Sequence, residues 1–218
     1  MVKTYSKKAN GAKQLSPHFA VREFACSDGS DTIMIDTDLI NLLERIRTWA
    51  GASIRITSGY RTKAYNDRLK GAAKNSQHTL GTAADIVVSG KTPADVARFA
   101  EAIGAGGVGL YTSKRFTHVD TRNGRARWVN RGSRDVAVKN HGGVCTYVKP
   151  TSWNGHGSSG DDVKWIQWWI NLWGYGLVVD GDYGRKTEGA VKDIQTRLGL
   201  SVDGITGPIT IKALQGDI

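Results

Sequence analysis

The sequence predicts an α+β fold, in which helices pack on a small antiparallel sheet, followed by a small all-α domain of three helices. Helical and two-residue apolar periodicities are mixed in the first 150 residues. The chain then becomes rich in glycine and serine, and mainly helical periodicity follows this stretch. At 218 residues, the chain is long enough for one ordinary core and one smaller core.

Two helices and several strands are predicted before residue 150. Residues 37–50 carry an apolar stripe at helical spacing, with a cap at Asp36 or Thr37. Residues 93–103 form the second helix, with Thr92 as its cap and a proline in the first turn. The predicted strands are 53–58, the run that begins at about Asp85, 108–111 and 116–120.

Histidine and carboxylate side chains recur in two short segments. The first segment reads S-x-H-x-x-G-x-A-x-D from Ser76 to Asp85, and the second runs from His118 to Asp120. Residues two apart on a strand share a face, so Asp85 faces an otherwise apolar side and His118 and Asp120 point the same way. A buried carboxylate needs compensation, which a metal would supply. Two imidazoles and one carboxylate leave a fourth tetrahedral position for water, which is typical of catalytic zinc, and Asp120 remains as a spare acid.

Further short motifs occur in order around these segments. They are Glu23-Phe24-Ala25-Cys26, Ser58-Gly59-Tyr60-Arg61, Tyr65-Asn66 and Ala126-Arg127-Trp128. Together with the two segments, they resemble the zinc D-alanyl-D-alanine carboxypeptidase group, which includes murein L,D- and D,D-endopeptidases and shares its core with the hedgehog signalling domain. The similarity covers roughly residues 15 to 130.

The resemblance implies that zinc is bound by His78, Asp85 and His118. It also implies that Arg61 polarises or orients the substrate, and an arginine suits this role because its fixed fork of donors stays charged. A structural salt bridge is the alternative for Arg61. Ser76, the first residue of the motif, is assigned to substrate binding.

The catalytic base is the point at which the sequence departs from part of the group. Several members have an acid three positions before the last ligand, but Arg115 occupies that position here. Other members carry histidine-x-aspartate, so Asp120 is the expected base. The reverse assignment, with Asp120 on the metal and His118 beside it, stays open.

Charge and cysteine content constrain the partners. Residues 1–150 hold 24 Lys and Arg against 12 Asp and Glu, whereas residues 151–218 hold 6 against 8. No nucleic-acid motif accompanies the basic part, so a polyanionic bacterial envelope is the expected partner rather than nucleic acid. Cys26 and Cys145 are expected to be buried thiols, although they offer one possible disulfide.

The domain boundaries follow from composition. Residues 1–149 are the predicted catalytic domain, 150–160 a linker, and 161–218 a three-helix domain. The motif D-G-x-x-G-x-x-T begins at Asp180 and again at Asp203, and the segment resembles the three-helix peptidoglycan-binding module of wall hydrolases. On its first helix, Trp168 lies opposite the main apolar stripe with Trp165 beside it, so Trp168 is expected to bind glycan or to pack against the catalytic domain.

The expected function is that of a monomeric zinc peptidase that cuts a peptide bond in the stem peptide or cross-link of peptidoglycan. The alternative is a non-catalytic wall-binding protein that retains a structural zinc. The sequence leaves open a D,D, L,D or L-alanyl-D-glutamate bond, and carboxypeptidase or endopeptidase action. The basic N-terminus is not followed by an apolar segment of the kind found in secretion signals, and there is no membrane-spanning run. We therefore expect synthesis in the cytoplasm and action at the wall after lysis, as for a phage endolysin, or after another route of release.

Overall fold

The computed structural model describes residues 1–132 and 134–218. The chain divides into two compact units, Met1–Gly143 and Val144–Ile218. The first unit mixes strands and helices and the second is mainly helical, so the predicted fold class is confirmed. No helix within the described residues has both the length and the apolar character needed to cross a bilayer.

The first unit contains two β-sheets. Strands β1 (Val2–Ser6) and β2 (Thr32–Asp36) form an antiparallel pair. The larger sheet has six strands in the order β3-β4-β6-β5-β7-β8. These strands are β3 (Ile54–Ser58), β4 (Ala83–Val88), β5 (Gly107–Tyr111), β6 (Phe116–Asp120), β7 (Ala126–Asn130) and β8 (Asp135–Ala137).

The sheet is not purely antiparallel, which differs from the prediction. Strands β5 and β7 run parallel, whereas the other neighbouring pairs of this sheet are antiparallel. Strand β6 lies on one side of β5 and β7 lies on the other, so β7 pairs with a strand that is not its neighbour in sequence.

The helices of the first unit are α1 (Lys7–Asn10), α2 (Thr37–Ala50), α3 (Lys63–Arg68) and α4 (Pro93–Ala102), with short 3-10 helices at Val21–Phe24 and Gln77–Leu80. Of these, α2 and α4 pack on the apolar face of the six-stranded sheet. Trp49 of α2 stacks on Phe99 of α4 at a centroid distance of 4.4 Å. Helix α4 packs on β5 and β6, where Val108 and Val119 are fully buried. The opposite face of the sheet is therefore left for polar side chains.

Helix α4 begins as its sequence predicts. The Thr92 hydroxyl accepts a hydrogen bond from the Asp95 backbone N–H at 3.2 Å, and the Asp95 carboxylate accepts one from the Thr92 N–H at 3.3 Å. Pro93 occupies the first turn, where its missing N–H costs no hydrogen bond.

The second unit contains α5 (Asp161–Leu172), α6 (Arg185–Arg197) and α7 (Pro208–Leu214). The D-G-x-x-G-x-x-T repeat builds two similar loops, each centred on a buried glutamine. The Gln167 amide donates to Asp180 Oδ1 at 2.7 Å and accepts from the Gly181 N–H at 2.9 Å. The Gln195 amide makes the equivalent bonds to Asp203 at 2.8 Å and Gly204 at 2.9 Å. The repeat thus holds the backbone between consecutive helices.

The predicted linker at 150–160 is part of the second unit. Asn154 pairs with Thr206 and is only 5% exposed, and the Gly157 N–H donates to the Tyr183 carbonyl at 3.0 Å. The glycine and serine content that predicted a flexible segment instead supplies tight turns against these loops. The division between the two compact units falls between residues 143 and 144.

Two other sequence expectations concern single side chains. On α5, Trp165 was expected beside Trp168 on a solvated face, but it is buried at 4% exposure and its ring tilts against Trp169 at 5.5 Å. Trp168 is half-buried and meets Trp169 edge to face. Cys26 and Cys145 are free thiols, the first buried and the second half-buried.

Candidate metal centre

A cleft of about 1310 Å³ lies over the polar face of the six-stranded sheet. Because side chains on a strand alternate, the residues that pair across the sheet in one row share this face. Asp85 of β4 pairs with His118 of β6, which pairs with Gly109 of β5, which pairs with Trp128 of β7. A second row contains Phe116, Tyr111, Asn130 and Asp135 in the same strand order from β6 to β8.

Three potential ligand atoms meet at one end of this cleft. His78 Nε2 lies 3.2 Å from His118 Nδ1 and 3.3 Å from Asp85 Oδ1, and His118 Nδ1 lies 2.9 Å from that oxygen. All three residues are buried, with exposures of 3% for His78, 7% for Asp85 and 6% for His118. These are the three residues that the sequence motif singles out, and in the described part of the chain they form a group that can hold a metal ion.

In each imidazole, the hydrogen bond of the ring nitrogen that faces away from the cluster determines whether the nitrogen that faces the cluster carries a proton or a lone pair. His78 Nδ1 lies 2.7 Å from the Gly59 carbonyl oxygen, which can only accept a hydrogen bond, so Nδ1 carries the proton. His118 Nε2 lies 3.1 Å from Asp120 Oδ2, and the same reasoning places a proton on Nε2. The neutral form of each ring therefore turns a lone pair toward Asp85.

Two lone pairs and a carboxylate oxygen in mutual contact repel one another unless a cation lies between them. Four ligands at zinc–nitrogen distances are about 3.3 Å apart in a tetrahedron, and the three separations observed here are close to that value. The donor set of two imidazoles and one carboxylate suits zinc. The residues present therefore fit a zinc ion and leave one position for water or substrate.

The pKa values describe the same cluster without a metal. Burial raises the pKa of Asp85, but the two neighbouring imidazoles outweigh burial and hold this pKa well below its usual range. Burial lowers the pKa of His118, yet its hydrogen bonds to Asp120 and Asp85 outweigh that effect and raise the pKa to about 9. Burial lowers the pKa of His78. In the absence of a metal, a proton on His118 thus supplies the cation that the cluster needs.

Local structure fixes His78 in this position. Its 3-10 helix is capped by Ser76, whose hydroxyl accepts from the His78 N–H at 3.3 Å. The helix ends at Gly81, which has a φ of 73° and packs so tightly on the Met34 carbonyl that a Cβ would lie 2.4 Å from its oxygen. Ser76 lines the cleft, as predicted for a substrate-binding residue, but its hydroxyl holds the helix that carries His78.

Arg61 lies beside the cluster. Its Nη2 donates to Asp85 Oδ2 at 2.8 Å and its Nε donates to Ser58 Oγ at 2.9 Å. The Arg61 backbone N–H donates to the His78 carbonyl at 3.0 Å, which ties the loop to the ligand segment. The side chain remains 16% exposed at the cleft wall. Arg61 therefore combines the predicted position with the salt bridge that was its structural alternative.

Asp120 contacts His118 on the side away from the other two ligands. It is fully buried, and its carboxylate is bound by Arg122 through Nε at 2.9 Å and Nη2 at 2.5 Å. Burial raises the pKa of Asp120, but its hydrogen bonds to His118 and Arg122 outweigh burial and hold the pKa below its usual range. Asp120 is thus an ionised acceptor that orients the His118 ring, an arrangement common behind metal-bound histidines.

Aromatic side chains form the floor of the cleft beyond the cluster. Trp128 tilts against the His118 ring at 5.1 Å, and its Nε1 donates to the Tyr111 hydroxyl at 3.1 Å. Tyr111 stacks on Phe116 at 4.3 Å. Gly109 makes room for this floor, because a Cβ there would lie 2.4 Å from the Trp128 ring.

Sequence reasoning singled out the three candidate ligands and Arg61, which line the cleft, but it missed many of the other lining residues. Trp128 belongs to a recognised motif without an assigned role, and Tyr111, Asn130 and Asp135 were not singled out. The two-residue alternation of β5 and β7 was a usable signal, because it places these residues on one face once the pairing is known. Trp168 lies in the second unit and is not one of the residues that line this cleft.

Two family models match the chain. Residues 17–120 match the family described as Peptidase M15, and residues 159–214 match the family described as a putative peptidoglycan binding domain. The first match contains Arg61 and all three candidate ligands. The chain therefore carries a peptidase M15 domain followed by a peptidoglycan-binding domain, and the resemblance predicted from its motifs is confirmed.

Three curated proteins illustrate the similarity. The peptidoglycan L,D-endopeptidase MepK of Escherichia coli K12 is 36% identical over 93 residues, which cover 40% of this chain and 51% of that protein. The N-acetylmuramoyl-L-alanine amidase CwlL of Bacillus licheniformis is 34% identical over 126 residues, covering 49% of this chain and 35% of that protein. The zinc D-Ala-D-Ala carboxypeptidase of Streptomyces albus G is 38% identical over 71 residues, covering 29% of this chain and 27% of that protein. The chain thus spans about half the length of MepK and a smaller share of the other two proteins.

Proposed function

We propose that this protein is a zinc-dependent peptidase that cleaves a peptide bond in the stem peptide or cross-link of bacterial peptidoglycan. The observation that carries the proposal is the cluster of His78 Nε2, Asp85 Oδ1 and His118 Nδ1 at the end of an open cleft. Its place within a peptidase M15 domain, and the wall-active relatives MepK and the zinc D-Ala-D-Ala carboxypeptidase, support this choice of reaction. A phage endolysin and a bacterial wall-remodelling hydrolase both fit the proposal.

The protein side chains provide binding and orientation around the metal. Bound zinc supplies a Lewis acid for the scissile carbonyl and lowers the pKa of a water molecule. Arg61 is fixed by Ser58 and Asp85, so its remaining exposed surface presents a positive charge that binds a peptide carbonyl or carboxylate.

The role that we propose for Asp120 differs from the general base expected from the sequence. Its carboxylate is fully buried, and it is occupied by Arg122 and by Nε2 of His118. The other carboxylate that lines the cleft, apart from Asp85, is Asp135 on β8. That strand is three positions from β6, about 14 Å across the sheet. We therefore assign Asp120 to holding the His118 ring in position rather than to accepting a proton from water.

The test is digestion of purified peptidoglycan by the zinc-loaded full chain. We expect new amino groups and soluble fragments that disappear with a chelator and return with added zinc. His78→Ala should be inactive, and His156→Ala, which changes an exposed histidine in the second unit, should match the unchanged protein. Mass spectrometry of the fragments would identify a D,D, L,D or L-alanyl-D-glutamate bond. Zinc binding without any cleavage would instead favour a wall-binding protein with a structural metal.

We also propose that the second unit binds the wall. Trp168 is the residue expected from the sequence, and it remains partly exposed on α5. Trp153 offers a second aromatic surface, because it is 68% exposed and its ring lies against Gly207, where a Cβ would approach within 2.8 Å. An aromatic ring supported on one face and open on the other is suited to stacking on a sugar.

Sedimentation with insoluble peptidoglycan separates the two tryptophans. Trp168→Ala and Trp153→Ala should each reduce the bound fraction while leaving the unfolding temperature close to that of the unchanged protein. Normal binding by both variants would contradict these roles. A large loss of thermal stability in Trp168→Ala with normal binding would identify Trp168 as a packing residue.

A further inference from the structure

We infer that the cleft selects peptides with several free carboxylates around the scissile bond, and that four unpaired cations on its rim are the selectivity determinants. This inference rests on the proposed function, since it names the class of peptide that the same site cleaves. It adds four residues that the sequence motifs did not single out. They are Arg55, Lys70, Lys114 and Arg134.

The charges that line the cleft are strongly unequal. The acidic side chains among the lining residues are Asp85, a candidate metal ligand, and Asp135. The cationic side chains include Arg61 and Arg122 together with the four rim residues. A divalent metal at the cluster adds further positive charge. The cleft as a whole is therefore a strongly electropositive region.

Two of the cations form ion pairs within the protein. Arg61 forms an ion pair with Asp85 at 2.8 Å, and Arg122 forms one with Asp120 at 2.5 Å. Among residues 1–132 and 134–218, the four rim cations form no ion pair within 4.0 Å, and all four are exposed. The Asp135 carboxylate accepts hydrogen bonds from Asn130 and Tyr111 instead of pairing with a cation. The positive charge of the rim is thus available to a ligand.

The rim cations stand on different sides of the cleft. Arg55 lies on β3 and Arg134 precedes β8, and these strands are the two opposite edges of the six-stranded sheet. Lys70 follows α3, and Lys114 lies in the connection between β5 and β6. A peptide in the cleft is therefore within reach of positive charge from both edges of the sheet.

The rest of the cleft floor carries little charge to oppose this field. Burial raises the pKa of Tyr111 to about 12, so its phenol stays neutral. Phe116 and Trp128 complete an uncharged floor. Wall stem peptides bear free carboxylates on their acidic residues and at their ends, which are the groups that arginine and lysine side chains bind. Cationic and fully amidated peptides gain nothing from these contacts.

The test compares two versions of the same soluble muropeptides, one with free carboxylates and one with these groups converted to carboxamides. Exposed charge pairs are individually weak, so we expect the four to act together. For the zinc-loaded full chain, amidation should lower kcat/KM about tenfold, mainly through KM. The variant with Arg55, Lys70, Lys114 and Arg134 all changed to Gln should cleave both versions at the same low kcat/KM.

Lys7→Gln is the matched control, because it removes an exposed cation of the same unit outside the cleft. It should retain the full preference for free carboxylates. If the variant with all four changes does not fold, the single variants Lys70→Gln and Arg134→Gln carry the test. Each of them should show a reduced preference for free carboxylates. Equal cleavage of both peptide versions by the unchanged protein would overturn the inference but leave the proposed function standing. A preference that persists undiminished in the rim variants would also overturn it. Cleavage of neither version would contradict the proposed function itself, and the inference would fall with it.

Discussion

His118 is held from both sides of its ring, and the two contacts have different consequences. Its Nδ1 faces His78 and Asp85, and its Nε2 faces the buried carboxylate of Asp120. Asp120 is itself fixed by Arg122. A carboxylate behind a ligating histidine sets the tautomer and increases the basicity of the ligand, so changes there act through the metal.

Asp120→Asn should therefore weaken zinc binding by about 10- to 100-fold, because an amide at this position holds the His118 tautomer less firmly. Competition with a chromophoric chelator would measure the affinity, and circular dichroism would check the fold. Asp135→Asn is the control, since it changes a carboxylate on the same sheet face three strands away from β6. Unchanged zinc affinity with lost turnover in Asp120→Asn would restore the role of general base.

Zinc affinity should also depend on pH. Because the pKa of His118 is raised to about 9 in the metal-free protein, this imidazole is protonated at neutral pH and must release its proton when zinc binds. Affinity should rise with pH up to about 9 and then level off, with about one proton released per zinc at neutral pH. Titration calorimetry in buffers of different ionisation enthalpy would count the proton. A constant affinity between pH 6 and 8 would contradict this account.

The limit of sequence reasoning at this scale is visible in the second motif. Alternation correctly places His118 and Asp120 on one sheet face. It does not say which nitrogen of His118 faces Asp120, because that depends on Arg122 and on the space above Gly107. A Cβ at Gly107 would lie 2.0 Å from Asp120 Oδ2, so the carboxylate can lie across β5 and take its place behind the ring.

The glycines of strand β5 leave space on the cleft floor for side chains of neighbouring strands. Gly109→Ala should push Trp128 away from His118, because the new Cβ would lie 2.4 Å from the indole. We expect a loss of about 1–3 kcal/mol in the free energy of unfolding, together with reduced cleavage. Urea denaturation of the zinc-loaded protein would measure the loss.

Gly189→Ala provides the comparison for this variant. Gly189 is exposed within α6, and no atom lies within 4 Å of a Cβ built there. Alanine should stabilise the helix by about 0.5–1 kcal/mol. A similar loss of stability in both variants would show that the effect at Gly109 does not come from the Trp128 contact.

The bounds of a helix or strand were predictable where a single local sequence pattern determines them. Helix Thr37–Ala50 has the predicted bounds because its apolar stripe is long and Gly51, with a φ of 61°, ends it. The parallel pairing of β5 with β7 was missed, because it depends on which edge β7 meets and not on its own residues. The segment at 150–160 packs within the second unit, and its composition does not distinguish a linker from a packed loop, because both are rich in turn-forming residues.

The charge of the whole molecule is divided between its two units. The first unit, residues 1–143, holds 23 Lys and Arg against 12 Asp and Glu, and the second unit, residues 144–218, holds 7 against 8. Since peptidoglycan and its attached polymers are polyanionic, the two parts should respond differently to screening by salt.

Binding of the full chain to intact walls should therefore weaken as the salt concentration rises from about 0.05 to about 0.5 M, because exposed charges are screened over shorter distances. The fragment 144–218 should bind more weakly at low salt and change little over the same range. Sedimentation assays on both proteins would show this, with circular dichroism used to verify that the fragment is folded. Equal salt dependence of the two would contradict a charge-based contribution from the first unit.

The construction of the cleft also constrains how proteins of this kind can diverge. Gly107 and Gly109 leave no side chain at two points of the floor, and the space above them is filled by Asp120 and Trp128. A mutation at either glycine damages the metal centre before it can alter substrate choice. The rim at residues 69–73 and at Arg134 and Asp135 has no such dependence. In an aligned set of relatives that cut different bonds, the two glycines should be nearly invariant while the rim changes quickly, so the evolutionary record of specificity should be concentrated in a few exposed residues.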